Sequence, residues 1–450
     1  MKRKIYNELL KWKEKESHRT ALLIDGARRV GKSYIAEKFG ANEYKSYILI
    51  DFFQAGNEVK DLFENYLNDL DTFFKYLSAI YNTKLYEHNS LIIFDEIQFY
   101  PRARAAIKYL VKDGRYSYLE TGSLISIKEN VKDILIPSEE RHIRMYPMDF
   151  EEFLWATGNE SLMEIIRENF DNKKPMGQVL HRKAMNCFRQ YLIIGGMPQA
   201  VAEYVQTNDL ESVDQIKRKI LTLYRNDISK HAIGYERKVT SIFDEIPSQL
   251  QKHEKRFTLS SLGRSARFRE YENSFLYLDD SMIINTCYNS TAPNIGLKLN
   301  RDNSSMKIYL ADTGLLISHT FDEESLEIEQ VYSKLLLGKL EINEGMIFEN
   351  IVAQMLVASG HKLYFYSNPS RNDKNQRMEI DFLISKRKVT SRHNISPIEV
   401  KSGKRYTLSS IKKFRSQFGE QLDVAYVIHT NDYKEEDGII YLPVYMTPLL

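Results

Sequence analysis

The chain has 450 residues, enough for two to four domains, and 43% of them are apolar, ample for several cores. Its 63 basic and 61 acidic residues leave a net charge of only +2, which excludes polyanion binding through overall charge and confines any nucleic-acid contact to a local patch. No apolar run approaches the ~18 residues that a membrane-spanning helix needs, so no membrane partner is expected.

MKRKIYNELLKWKEKE opens the chain as an amphipathic helix, without the pattern of a signal peptide. Ala21 to Ile24 is a short apolar run of the kind that makes a buried strand. It is followed by Gly26-Ala27-Arg28-Arg29-Val30-Gly31-Lys32-Ser33, a complete G-x-x-x-x-G-K-[ST] loop, and Tyr34 to Phe39 reads as helix. Gly26 and Gly31 permit the backbone geometry that turns successive N–H groups toward phosphate oxygens, and the helix start adds its positive dipole end. Lys32 is placed to reach the β- and γ-phosphates and the Ser33 hydroxyl to help hold Mg²⁺. Nucleotide contacts are expected along this stretch, from Gly26, Ala27, Arg28, Arg29, Val30, Gly31, Lys32, Ser33 and Tyr34. The turn itself does not need Arg28 and Arg29, which raise the local positive potential or simply form a solvated face.

Ser46 to Phe53 reads as a second strand, Glu58 to Tyr81 as largely helical, Ser90 to Gln98 as a third strand and Pro101 to Asp113 as a helix. Tyr118 to Leu124 makes a fourth strand and Arg144 to Tyr146 a fifth. This alternation calls for a parallel α/β sheet. Asp95 and Glu96 emerge at the C-terminal end of the third strand, where ligands of open α/β sheets bind. Asp95 can hold Mg²⁺ and Glu96 can orient and activate the attacking water; the plainer alternative is two carboxylates capping a strand. Thr121 and Ser123, at the tip of the fourth strand, are candidates to sense the γ-phosphate, or else cap a turn. Arg141 and Arg144 are candidates to supply positive charge in the transition state.

GARRVGKS, LIIFDEIQ, TGSL and RMYPMDFEEFL, with YLIIGGMPQAV, LYRNDISKHA and KIYLADTGLL further on, together resemble a bacterial and archaeal AAA-type ATPase family. That family pairs its AAA_14-type ATPase domain with a C-terminal domain of unknown function, DUF4143. The resemblance spans nearly the whole chain. It implies an ASCE-type P-loop ATPase, a helical lid, a winged helix and a restriction-endonuclease-like C-terminal domain. It also accounts for the basic pair Arg28-Arg29. One departure stands out: many relatives carry Gly-Arg before the RMYP-like strand, where this chain has Ser138-Glu139-Glu140-Arg141, so no arginine finger is assigned.

From Phe150 to about Lys230 the pattern is helical, interrupted at Gly195-Gly196. Lys255 to Ile284 reads as a helix-turn-helix broken at Gly263, with Phe268, Tyr271, Phe275 and Leu278 on one face of its second helix. Arg264, Arg267 and Arg269 lie at that helix's N-terminal end, where a recognition helix meets DNA. The segment after it can form a wing carrying Lys298, Arg301 and Lys307; intramolecular packing is the alternative. The two cysteines, Cys187 and Cys287, lack metal-ligand spacing and suit small core thiols in a reducing, cytoplasmic setting.

Glu344 to Leu356 is an amphipathic helix bearing Glu349. Glu379 to Ser385 and Pro397 to Lys404 are strands bearing Asp381 and then Glu399 and Lys401. This looks like the PD-(D/E)xK nuclease core, in which two carboxylates on adjacent strands hold Mg²⁺ and the lysine positions or activates water. Asp381 and Glu399 are the expected ligands, joined through a hairpin at Lys386 to Asn394, with Lys401 beside them and Glu349 reaching in.

The expected organisation is an α/β multidomain chain. A P-loop AAA-type domain (1–155) precedes a helical lid (156–235), a winged helix (236–318) and a nuclease-like domain (330–450). The expected function is an ATP-binding, Mg²⁺-dependent ATP-hydrolysing switch, with ATP and Mg²⁺ as cofactors and Glu96 and Lys32 as catalytic groups. Its C-terminal domains would bind duplex DNA and, through Asp381, Glu399 and Lys401, act on it. The alternative is a nucleotide-gated protein-interaction module with an inactive nuclease-like domain.

Overall fold

The computed structural model describes residues 1–122, 138–252, 255–294, 296–322, 328–336, 344–369, 377–385, 394–403 and 406–450. Two units make up the chain, Met1–Tyr146 and Pro147–Leu450.

In the first unit ALLIDG forms β1 (Ala21–Gly26), buried along its whole length as an inner strand covered on both faces must be. The order from the N-terminus is α1 (Ile5–Lys15), β1, α2 (Lys32–Glu43), β2 (Ser46–Asp51), α3 (Asn57–Asn65), α4 (Leu70–Ile80), β3 (Ser90–Asp95), α5 (Pro101–Asp113), β4 (Ser117–Gly122) and β5 (Glu140–Met145). The segment expected to be one long helix is two, because Asp69 caps α4 by accepting from the Thr72 N–H at 3.2 Å. The fifth strand begins at Glu140, earlier than its apolar residues suggest.

Strand order is β2-β3-β4-β1-β5 with every pair parallel. β4 therefore lies between β1 and β3, and the loops leaving all three strands open on one edge. Leu23, Ile92, Phe94 and Tyr118 of the sheet pack with Val59, Leu62, Phe63, Phe73, Ile107 and Leu110 of α3, α4 and α5. Side chains of this kind each contribute ~1.5–3 kcal/mol on full burial. A charged group is sealed into the same unit. Arg104 Nε and Nη2 donate to the Glu140 carboxylate at 3.0 and 2.8 Å, both side chains being almost wholly buried. Glu120 is fully buried beside them; burial, then the Glu140 charge, drives its carboxyl well above the usual range.

The second unit begins with helices Phe150–Ala156, Glu160–Asp171, Gln178–Ile194, Pro198–Thr207, Leu210–His231 and Glu236–Gln251. The Gly195-Gly196 break is a packing device. The Asp312 carboxylate accepts from the Gly196 and Leu315 N–H groups. A Cβ on Gly195 would lie 2.2 Å from Asp312 Oδ1, and one on Gly196 would lie 2.1 Å from the Met148 carbonyl oxygen. The IIGG and ADTG motifs thus lock to each other, which explains why those residue types stand there.

After the helix Phe268–Asp280 come β6 (Ile284–Ser290) and β7 (Arg301–Leu310), then the helices Thr313–Thr320, Ile328–Leu336 and Glu344–Ala358. These lead into β8 (Tyr364–Asn368), β9 (Met378–Ser385), β10 (Ile395–Val400), the helix Ser409–Phe418, β11 (Ala425–His429), β12 (Lys434–Glu436) and β13 (Ile439–Pro443). One mixed sheet contains all eight strands in the order β12-β13-β11-β10-β9-β8-β6-β7. β6 pairs parallel with β8, so a single sheet runs through both the 236–318 and the 330–450 segments. The helix Phe150–Ala156 belongs to this second unit and not to the first.

Candidate active site

The eight-residue loop leaves β1 at Gly26, where a Cβ would come within 2.4 Å of the Met145 carbonyl oxygen, so β5 admits only glycine at this point. Ala27 and Val30 are buried and anchor the loop, while Arg28 and Arg29 are exposed. Arg29 (φ 70°) and Gly31 (φ 96°) have left-handed backbones, and Gly31 caps the start of α2. Lys32 begins that helix. Its Nζ donates to the carbonyls of Gly26 and Ala27 at 3.0 and 3.1 Å. Burial lowers the Lys32 pKa, against the pull of Glu96, Asp95 and Asp25. Tyr34 is 54% exposed on the first turn of α2.

The tips of β3 and β4 and the first turn of α2 meet at one carboxylate oxygen. Ser33 Oγ donates to Asp95 Oδ1 at 2.7 Å, and Thr121 Oγ1 donates to the same oxygen. The Glu96 N–H reaches Thr121 Oγ1 at 3.3 Å. Glu96 itself has a left-handed backbone (φ 52°, ψ 47°), uncommon for a residue with a Cβ and of the kind found where side-chain direction matters. Its carboxylate accepts from the Gln98 side-chain amide. Strand order decides this convergence, since β4 stands between β1 and β3. The hydroxyl of Ser33 and the carboxylate of Asp95 are hard oxygen donors already sharing one hydrogen bond, a pair that fits Mg²⁺ held jointly with phosphate oxygens and water.

The two arginine candidates part company. Arg141 is tied to α1, with Nη1 2.8 Å from Glu16 and Nη2 3.5 Å from Glu8. Arg144 lies beside the loop, 58% exposed, with Nε 3.9 Å from Asp25 Oδ2. Asp25 was not singled out from the sequence, because it precedes the loop pattern by one residue. It is buried, and burial raises its pKa against Arg144, His142 and Lys32. An acidic residue ending an otherwise apolar strand was the available signal. Ser123 lies outside the described residues.

In the second unit, β9 and β10 pair antiparallel, which places Asp381 beside Glu399. Asp381 Oδ2 accepts from the Val400 N–H at 2.9 Å, and Lys401 Nζ is 2.8 Å from Glu399. Residues 386–393 of the expected hairpin lie outside the described residues. Lys307, expected on an exposed wing, is instead fully buried. Its ammonium lies 2.7 Å from Glu379, 3.3 Å from Glu349 and 3.6 Å from Asp381. Lys255 and the Tyr309 hydroxyl also bond Glu349. Burial favours the neutral form of Glu349, but Lys255 and Lys307 outweigh it and hold the pKa down to about 2. Among the described residues no group of three or more His, Cys, Asp or Glu is arranged to hold a metal. Each of the two carboxylates has an ammonium neighbour, Lys307 at 3.6 Å from Asp381 and Lys401 at 2.8 Å from Glu399.

The helix-turn-helix expectation also needs amending. Its first element is a single 3₁₀ turn, Leu259–Ser261, and the long helix before it ends at Gln251. Gln249 holds the connection, accepting from the Thr258 N–H at 3.0 Å and donating to Ser261 Oγ at 2.8 Å. Phe275 and Leu278 are buried as expected, while Arg264, Arg267, Arg269, Lys298 and Arg301 are exposed.

Three segments of the chain match known family models. Residues 18–154 match the family model of an AAA domain. Residues 185–325 and 344–446 match two domains of unknown function, DUF8612 and DUF4143. A curated relative, an uncharacterized protein of Methanocaldococcus jannaschii, is 29% identical over 171 residues, covering 36% of this chain and 35% of that protein. The chain thus spans about a third of the length of the curated relative it matches. Similar solved structures include C. elegans PCH-2, at TM-score 0.26 and 12% identity over 47% of this chain and 64% of that one. A DNA replication initiation factor gives 0.22 and 11% over 62% and 76%. Cdc6p from Pyrobaculum aerophilum gives 0.25 and 12% over 74% and 92%. Likeness at TM-scores this low says nothing about function. No helix among the described residues is long and apolar enough to cross a membrane.

Proposed function

We propose that the first unit binds ATP with Mg²⁺ and hydrolyses it. The observation that carries this reading is the sharing of Asp95 Oδ1 by Ser33 and Thr121, with the Glu96 N–H on the same threonine. A strand cap needs no such convergence from three separate elements. The Gly26–Gly31 loop offers backbone N–H groups to phosphate, and Lys32 leaves the two loop carbonyls to meet the β- and γ-phosphates. Mg²⁺ bound through Ser33 and Asp95 supplies charge neutralisation of the phosphate oxygens. Glu96 orients the attacking water and accepts its proton, while Thr121 couples the tip of β4 to that carboxylate's backbone. Arg144, at the edge of the same loop, supplies positive charge toward the phosphates. Replacing Lys32 with Ala should raise the ATP Kd by ~10²-fold or more and abolish turnover. Undiminished binding, measured by calorimetry, refutes the assignment.

A second reading concerns residues 236–310. Arg264, Arg267 and Arg269 are exposed around the start of the helix Phe268–Asp280, and Lys298 on the β6–β7 connection and Arg301 at the start of β7 are exposed after it. This order of helix, turn, helix and hairpin supports a winged-helix reading in which the ATPase governs contact with duplex DNA. The order helix, β8, β9, β10, helix, β11 supports a restriction-endonuclease-like fold for the last domain. Neutralising Arg264, Arg267 and Arg269 together should shallow the slope of log affinity against log salt by about 1 for each phosphate no longer neutralised. A wild-type chain with no salt-dependent duplex binding favours the protein-interaction alternative.

A further inference from the structure

The nuclease-like reading of 330–450 calls for a divalent metal at Asp381 and Glu399, and a buried lysine already stands beside the first of them, 3.6 Å from Asp381. Lys307 projects from β7, where its backbone is paired with Cys287. Its side chain has no solvent exposure, and its ammonium sits over the Phe365 ring, 5.1 Å from the centroid. Around that ammonium stand Glu379, Glu349 and Asp381, at 2.7, 3.3 and 3.6 Å. Lys255 neutralises the second oxygen of Glu349, and Lys401 pairs with Glu399 at 2.8 Å. Among the described residues, four carboxylates thus face three ammonium groups.

We propose that Lys307 is the built-in counter-cation of this cluster, standing in for the divalent metal, so that the native C-terminal unit folds and works without one. Two physical points support this. Mg²⁺ and Mn²⁺ need oxygen ligands in near-octahedral array at about 2.0–2.2 Å, whereas these carboxylates are arranged around a hydrogen-bonding nitrogen. An ammonium without solvent exposure a few ångströms away also opposes a dication, so Lys307 weakens metal binding at Asp381. The hydrogen bonds to Lys307 would have to be surrendered before a metal could take these ligands. On this reading the nuclease-like sheet is a scaffold with an ion cluster built around a buried ammonium, and metal-dependent strand cleavage is not among its activities.

The test is Mn²⁺ uptake by the nucleotide-free full chain, followed by electron paramagnetic resonance, which reads the metal and not activity. The wild type should take up no Mn²⁺ that Asp381→Asn removes. Lys307→Met leaves Glu349, Glu379 and Asp381 without their shared cation, and should gain one Mn²⁺ per chain with ~10-fold or greater tightening over wild type. Adding Asp381→Asn to Lys307→Met should remove that gain. Wild-type uptake of Mn²⁺ that persists in Asp95→Asn but vanishes in Asp381→Asn overturns the proposal. The two outcomes separate this cluster from the ATP site, whose metal depends on Asp95. If Lys307→Met proves unfolded by circular dichroism, the wild-type and Asp381→Asn titrations still decide between them.

Discussion

Replacing Glu96 with Gln isolates chemistry from binding. The amide keeps the side chain's size, and its oxygen can still accept from Gln98. The left-handed backbone at residue 96 and its N–H bond to Thr121 do not depend on the carboxylate, so the fold should lose less than about 1 kcal/mol. What disappears is the base. General base catalysis is worth about 10²–10⁴-fold, so turnover should fall by that factor, equivalent to a barrier higher by about 2.7–5.5 kcal/mol. Binding should move the other way. Glu96 is the strongest of the acidic neighbours that favour the charged form of Lys32, and its charge also opposes incoming phosphate. Losing it should leave ATP affinity unchanged or a few-fold tighter, about 1 kcal/mol at most. Calorimetric ATP titration and single-turnover phosphate release, both with Mg²⁺, separate the two effects. Turnover within about threefold of wild type would show that Glu96 only caps β3 and that the water is activated elsewhere.

Two further outcomes rest on buried charges. Arg104→Met strips Glu140 of its bidentate partner inside the first unit and should destabilise that unit by about 3–5 kcal/mol, measured by urea unfolding. The double variant Arg104→Met/Glu140→Gln should recover most of that loss, and an equal loss in both would refute the pairing. His429 is buried, accepting or donating at Tyr406 and the Asp432 carbonyl, and burial pushes its pKa down to about 4. Between about pH 6.5 and 4 the unfolded chain takes up a proton that the native state refuses, so stability complete above pH 6.5 falls on acidification, by about 3 kcal/mol in all. His429→Gln should flatten that part of the stability profile, and an unchanged profile would show that other groups set it.

Much of the proposed ATP site was legible before any fold, because its parts are short and local. The phosphate loop is eight contiguous residues whose glycines and lysine do the same work in any context that supplies a strand before and a helix after. Asp95 and Glu96 were legible for a related reason: an apolar run must end where the sheet ends, and the first polar residues past it lie on the ligand edge. What no local pattern could supply was adjacency. That Thr121 and Ser33 share one oxygen of Asp95 comes from β4 lying between β1 and β3, and strand order is settled by how helices cover the whole sheet. Arg141 and Arg144, three residues apart, show the same limit, since one is drawn to α1 and the other to the loop. Lys307 shows it most plainly. Along the chain it is one more basic residue, standing between Met306 and Ile308, with nothing local to name its partners. Only the packing of the helix Glu344–Ala358 over β7, and a sheet order that leaves two strands between β9 and β7, surround it with Glu349, Glu379 and Asp381. Local chemistry is written residue by residue, but burial and charge pairing belong to residues far apart in sequence, and tertiary structure alone brings them together.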